Sequence, residues 1–186
     1  MKKIAILASL LLSLTLVNAQ TNSATLDKSP MDMSYYPADY PVLKIQDKAT
    51  DPLVARVVYS RPQKKGRKLF GDVVSYGQIW RLGANEATEI EFFQDVKIDN
   101  KKVKKGRYTI YALVDTDKWT IILNKETDTW GAFKYDSKKD ILRSAVPVQK
   151  QTGITEAFSM AFEKTKTGAD LVISWDDVLV RLPIAW

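Results

Sequence analysis

Between residues 53 and 182, apolar and polar positions alternate in short runs separated by turn-forming residues about every 8 to 12 positions, the spacing of a sandwich or barrel. Thr88, Ile90 and Phe92 fall on one face of such a run with Glu89 and Glu91 on the other, which predicts a half-exposed strand. Val96 to Ile98 and Lys101 to Val103 flank Asp99-Asn100, two residue types that accept the left-handed backbone of a tight hairpin. After Gly106, the residues Tyr108, Ile110, Ala112 and Val114 alternate with Tyr111 and Leu113, so this strand is expected to be covered on both faces. Phe158, Met160 and Phe162 share a face. Thr167-Gly168 then turns into Leu171, Ile173 and Trp175, and Asp176-Asp177 separates these from a closing run at 178–182. Helical periodicity is nearly absent. The prediction is an all-β fold, an antiparallel β-sandwich of jelly-roll-like form with about 9 to 12 strands. No internal repeat points to a solenoid or propeller. An outer-membrane barrel is the alternative, opposed by strands covered on both faces and by Pro183 within the last one.

The first 50 residues read differently. Lys2 and Lys3 precede an apolar stretch at 4–17 and the small residue Ala19, the layout of a secretory signal peptide over residues 1–19. Its apolar core falls short of the roughly 20 residues that cross a bilayer, so no integral membrane anchor is expected. Without a cysteine after the cut, a lipid anchor is excluded as well. The expectation is an exported protein of the periplasm or extracellular space. Residues 20–50 are polar and Pro-punctuated, with Tyr35-Tyr36-Pro37 and Tyr40-Pro41, and are read as an extended N-terminal tether or strap ahead of one domain at 51–186.

Composition narrows the chemistry more than the pattern does. The chain has no histidine and no cysteine. That removes Ser-His-Asp triads, cysteine nucleophiles, His- or Cys-ligated zinc and haem held by those residues. Asp, Glu, Lys, Tyr, Ser and Thr remain for catalysis, and a metal would need oxygen ligands. No cofactor and no metal site are predicted. The net charge of +6 becomes +4 without Lys2 and Lys3, and the lysines alternate with acids, so a solvated surface is expected rather than a nucleic-acid stripe.

One segment departs from strand-and-turn material: YSRPQKKGRKLFGDVVSYGQIWRLGANEAT, residues 59–88. Gly66, Gly71, Gly77 and Gly83 imply several backbone positions with positive φ or close approach. SRPQKKGRKLFG, IWRLGANEAT and the later ILNKETDTWGAFKYDSKKDILR resemble a family of exported bacterial proteins known as the domain of unknown function DUF2911, over about residues 53–143. The resemblance implies a β-rich fold and brings no reaction, substrate or cofactor.

Three functional readings follow. In the first, Arg61, Lys65, Arg67, Arg81 and Asn85 hold a small oxygen-rich or anionic ligand, a sugar acid or similar carbohydrate, with Trp130 or Tyr135 stacking on it. The protein is then a non-catalytic binding module. The structural alternative pairs Arg81 with Glu86 across the Gly83 turn. Arg81→Gln is expected to cost more than about 1 kcal/mol because Arg81 also supports that turn, whereas Arg67→Gln is expected to cost little stability and to abolish stabilisation by anions. In the second reading Glu86, in a Gly-Ala-Asn-Glu loop, is the catalytic carboxylate of a hydrolase, with Asp72, Asp136 or Asp140 as its partner. In the third the chain is an envelope-associated structural or interaction protein.

Overall fold

Alternation of the kind read above does place the strands in two antiparallel sheets. The computed structural model describes residues 25–186. The signal peptide expected over residues 1–19 lies outside the described residues. The larger sheet runs in the order β1 (Met31–Tyr36), β2 (Ala55–Ser60), β4 (Glu89–Phe92), β7 (Gly106–Val114), β8 (Lys118–Asn124) and β9 (Asp140–Pro147). The short β3 (Ile79–Trp80) also pairs with β7. The smaller sheet is β10 (Gln149–Lys164), β11 (Gly168–Ala185), β5 (Val96–Ile98) and β6 (Lys101–Val103). The all-β sandwich is therefore correct.

Local chemistry accounts for the turns. Asp99 and Asn100 take φ of 51° and 59°, both left-handed, and close β5 onto β6 with Val96, Ile98 and Val103 buried together. β11 is long enough to span some 60 Å if straight. Yet Gly168 lies against Ile184 and Ala185, and the Trp186 N–H donates to the Thr167 carbonyl at 3.3 Å. The ribbon must therefore double back, and it does so at Asp176, whose φ is 58°, beside Asp177. The two acids act as the predicted separator.

The strap is more structured than its composition implied. Residues Met31–Tyr36 pair along β2 as an edge strand, and α1 (Tyr40–Ile45) adds one short helix. That helix buries none of its residues, so it has no apolar face for a periodic pattern to show. Among the described residues no helix is long and apolar enough to cross a membrane.

Aromatic rings fill the space between the sheets. Trp80 stacks on Trp175 at 5.9 Å and 12°, while Phe70, Trp119 and Phe158 meet Trp80 at wider angles. Tyr59 of β2 reaches Phe158 of β10 at 5.9 Å, linking the two sheets. A second, smaller cluster lies on the outer face of the larger sheet, where Tyr111, Ile122 and Ala87 are covered by Ala132 and Tyr135. This cover explains why β7 is apolar on both faces, and it positions the candidate site.

Candidate functional site

The cover is the loop at 125–136, between β8 and β9, and it is tied down at several points. Buried Asn124 donates through Nδ2 to the Asp136 carbonyl at 3.0 Å and to Asp140 Oδ1 at 2.8 Å, and its Oδ1 accepts from the Glu126 N–H at 2.9 Å. The Ala87 N–H donates to the Thr129 carbonyl and the Gly131 N–H to the Asn85 carbonyl, each at 2.9 Å, so Glu86 and Trp130 form an antiparallel bridge. Backbone on both sides of Trp130 is thus fixed while its side chain stays 61% exposed. A large aromatic held in water on an ordered backbone is a candidate contact surface.

Trp130 stands between two clefts. One, of about 430 Å³, is bordered by Met31, Val58, Glu86 and Glu89; the other, of about 510 Å³, by Tyr111, Glu126, Phe133 and Lys134. Asp128, Thr129 and Trp130 line both. Arg107 bridges the carboxylates behind the tryptophan, 3.3 Å from Glu89 and 2.5 Å from Asp128. Glu89 also accepts the Asp128 N–H at 2.6 Å. Carboxylates and the Thr129 hydroxyl thus border the exposed indole, alongside apolar Met31, Val58 and Phe133 and the cations Lys134 and Lys139.

The eight site residues read from the sequence do not meet in one cleft. Glu86 and Trp130 share the first cleft, and Asn85 supports it through its carbonyl, with φ of 60°. Arg67 and Arg81 line a separate groove of about 190 Å³. Arg61 donates to Asp32 at 3.0 Å and to the Phe158 carbonyl at 3.2 Å, so it links β1 to β10. Lys65 sits in a left-handed turn at φ 49°, held by its N–H to Glu156 at 2.7 Å. Tyr135 is not an open stacking ring. It packs edge-on against Tyr111 at 5.2 Å, donates its hydroxyl to Asp140 at 2.6 Å and accepts from Arg143 at 2.6 Å.

The predicted Arg81–Glu86 pair does not form, because Arg81 makes no ion pair among the described residues. The turn is supported instead by Ser60, whose Oγ donates to the Ala84 carbonyl and accepts the Ala84 N–H, both at 2.6 Å. Gly83 is required there: at φ 150° a Cβ would stand 2.7 Å from Ser60 Oγ. Arg67, expected to cost little stability when replaced, donates to the Lys64 carbonyl at 3.0 Å and the Gln63 carbonyl at 2.5 Å. Arg67→Gln is accordingly expected to lower stability by about 1 kcal/mol in urea titration, the small end of the range for charged donors because the group is exposed.

Residues 43–184 match the protein family described as protein of unknown function, DUF2911. The chain belongs to the DUF2911 family. No curated protein and no solved structure matches it. The DUF2911 match extends well beyond the resemblance at 53–143 and takes in the end of α1, all of β10 and most of β11.

The carboxylates proposed as partners for Glu86 have other work in this DUF2911 chain. Asp72 pairs with Lys68, Asp136 caps the short 3₁₀ turn Ser137–Lys139, and Asp140 holds Tyr135, Asn124 and Arg143. Sequence reading passed over Asp128, Glu89 and Thr129, whose polar side chains look like ordinary loop and strand-surface positions until the bridge at Glu86 brings them beside Trp130. The Tyr135 hydroxyl is pushed up to about 12, first by burial and then by its bond to Asp140. A raised phenol contributes stability that is complete below the ordinary value of 10.0 and lost as pH rises toward 12. Thermal midpoints are expected to fall across that window, and less steeply in Tyr135→Phe.

Proposed function

We propose that this protein is an exported, non-catalytic binding module for an uncharged, hydroxyl-rich ring, a carbohydrate, which it holds against Trp130. The observation that carries this reading is the 61% exposed indole on a backbone pinned by the Glu86–Trp130 bridge, with clefts on both sides. A pyranose has an apolar face that stacks on an indole, and an edge of hydroxyls that donate to carboxylates. Glu86, Asp128, Glu126 and Thr129 provide acceptors of that kind around the ring. Asp128 and Glu126 are paired with Arg107 and Lys139, so Glu86 is the carboxylate that disfavours a sugar acid beside it.

Binding is favoured over hydrolysis by the state of the carboxylates. Glycoside hydrolysis needs two carboxyl groups with separate roles. Glu89 and Asp128 are both engaged by Arg107, which leaves Glu86 without a second free partner in its cleft. Glu86→Gln is therefore expected to retain ligand binding.

Titration of a panel of neutral oligosaccharides, followed by tryptophan fluorescence and calorimetry, tests the proposal. A binder should lose affinity by about ten- to a hundred-fold in Trp130→Ala. The unfolding midpoint of that variant should stay within about 0.5 kcal/mol of the parent, because the ring is mostly in solvent. Failure of every neutral saccharide, or equal affinity in Trp130→Ala, sinks the reading. Export has its own test, mass spectrometry of protein recovered outside the cytoplasm. A chain starting at Gln20 is expected, and an intact Met1 contradicts export by signal cleavage.

A further inference from the structure

Arginine use in this chain is uneven in an informative way. Of seven arginines, Arg56, Arg61, Arg107, Arg143 and Arg181 are ion-paired. The remaining two, Arg67 and Arg81, line the same 190 Å³ groove, which no carboxylate borders. Arg67 spends Nε and Nη2 on the backbone carbonyls of Lys64 and Gln63. Arg81 is half-buried, and its Nε is fully enclosed with no hydrogen-bond partner among the described residues. Arg56 has a similar unpaired Nε, but Glu91 neutralises that guanidinium at 2.5 Å. Arg81 has nothing equivalent.

A half-buried cation without an acceptor is costly, and native structures rarely keep one without a ligand or water to satisfy it. Burial alone pushes the Arg81 pKa below its ordinary value. The backbone around it is also held in uncommon conformations, with Leu82 at φ 54° and Gly83 at φ 150°, and Ser60 and Trp80 Nε1 bonding into the turn. Backbone of this kind collects at ligand sites, where fixing a side chain's direction is worth its conformational cost.

We infer that the Arg67–Arg81 groove is a second binding site, separate from the Trp130 clefts, for the carboxylate of a small organic acid. A guanidinium fork matches a carboxylate by two parallel hydrogen bonds, which the Arg81 Nη groups can offer to a ligand in the groove, the enclosed Nε itself being out of its reach. The rest of the groove selects the body of the ligand. Trp80, Trp175, Val74 and Pro62 form an apolar floor, and Val73, 45% exposed, stands beside it. A hydrocarbon or aromatic acid gains from these contacts, whereas a naked oxyanion leaves them unused. The volume is below that of drug-sized sites, so the acid is small.

The site shares no lining residue with either Trp130 cleft and does not rest on the carbohydrate reading. Benzoate and sulfate, titrated at constant ionic strength into the full chain and followed by thermal melting and calorimetry, test it. Benzoate should raise the wild-type midpoint saturably, and sulfate should do so less. Arg81→Gln should weaken benzoate binding by about ten-fold or more while the ligand-free midpoint stays equal or rises, since an unpaired charge has been removed. Arg81→Lys keeps the charge and loses the fork, so it should fold and still bind benzoate more weakly than wild type. Lys101→Gln, a charge removed in the β5–β6 hairpin, and Trp130→Ala should both respond like wild type. Equal benzoate affinity in wild type and in both Arg81 variants, or no benzoate response in wild type, overturns the site. Sulfate binding as strong as benzoate overturns its assignment to an organic carboxylate.

Discussion

Trp175→Ala is expected to cost about 4 kcal/mol of unfolding free energy, the middle of the range for removing a buried indole. Trp175 is 2% exposed and touches three other rings: Trp80 face to face, Phe158 at 5.8 Å and 72°, and Phe70 at 6.5 Å and 85°. Its Nε1 donates to the Glu156 carbonyl at 3.2 Å, a bond that truncation removes although the carbonyl keeps the Lys64 N–H at 2.8 Å. The four rings come from β3, β10, β11 and the loop before β3, so refilling the gap would require several elements to shift together. Urea denaturation measures the loss, and Trp175→Phe should restore about half of it. Trp175 also forms part of the floor under Arg81, whereas it borders neither Trp130 cleft. Saccharide affinity should therefore survive in whatever fraction of Trp175→Phe is folded. A loss below about 1 kcal/mol in Trp175→Ala would contradict the packing described.

Gly168→Ala is the second substitution with a large expected effect, about 3 kcal/mol. The added Cβ would stand 2.1 Å from the Ile184 carbonyl oxygen and 2.9 Å from the Ala185 Cα. Both are backbone atoms of the returning half of β11, so no side chain can swing aside. Relief requires the two halves to separate where Ala169 and Ile184 are buried. Gly153→Ala is the control, since nothing lies within 4 Å of its added Cβ. The pair should differ by most of the predicted loss in thermal or urea melts, and equal stability would rule out the doubled-back ribbon.

The sandwich was legible because most of its strands bury alternate residues. Glu89–Phe92 reads intermediate, buried, intermediate, buried, and the Asp99-Asn100 hairpin carried its turn chemistry in two residues. What escaped were pieces with little burial to encode them. β1 sits at a sheet edge with both Met31 and Met33 half in water, α1 buries nothing, and β3 is two residues long. The candidate site was legible in part. Trp130 stood out because an indole follows a polar loop, and it is exposed. Tyr135, five residues on, looked equivalent but faces Tyr111 and Asp140, a difference set by loop curvature that residue types do not reveal. The four cations around Gly66 and Gly83 looked alike too. Their partners separate them: Asp32 claims Arg61, Glu156 holds the Lys65 backbone, neighbouring carbonyls claim Arg67, and nothing among the described residues claims Arg81. Asp32 and Glu156 lie far along the chain from the residues they hold, and only the fold shows that they arrive.

The doubled-back β11 also sets the order in which the molecule can assemble. The β5–β6 hairpin is complete by Val103, yet β5 meets its only larger neighbour through Ala185, which pairs with Lys97. Until residue 185 is made, that hairpin has no strand of its own sheet to join, and Val96, Ile98 and Val103 lack part of the core that buries them. Closure of so long a segment delays the favourable contacts until late, which places folding among the slower, non-local topologies, on the millisecond-to-second scale. Nascent chains would then hold no complete smaller sheet for as long as residue 185 is missing, although every strand of the larger one is already made by Pro147.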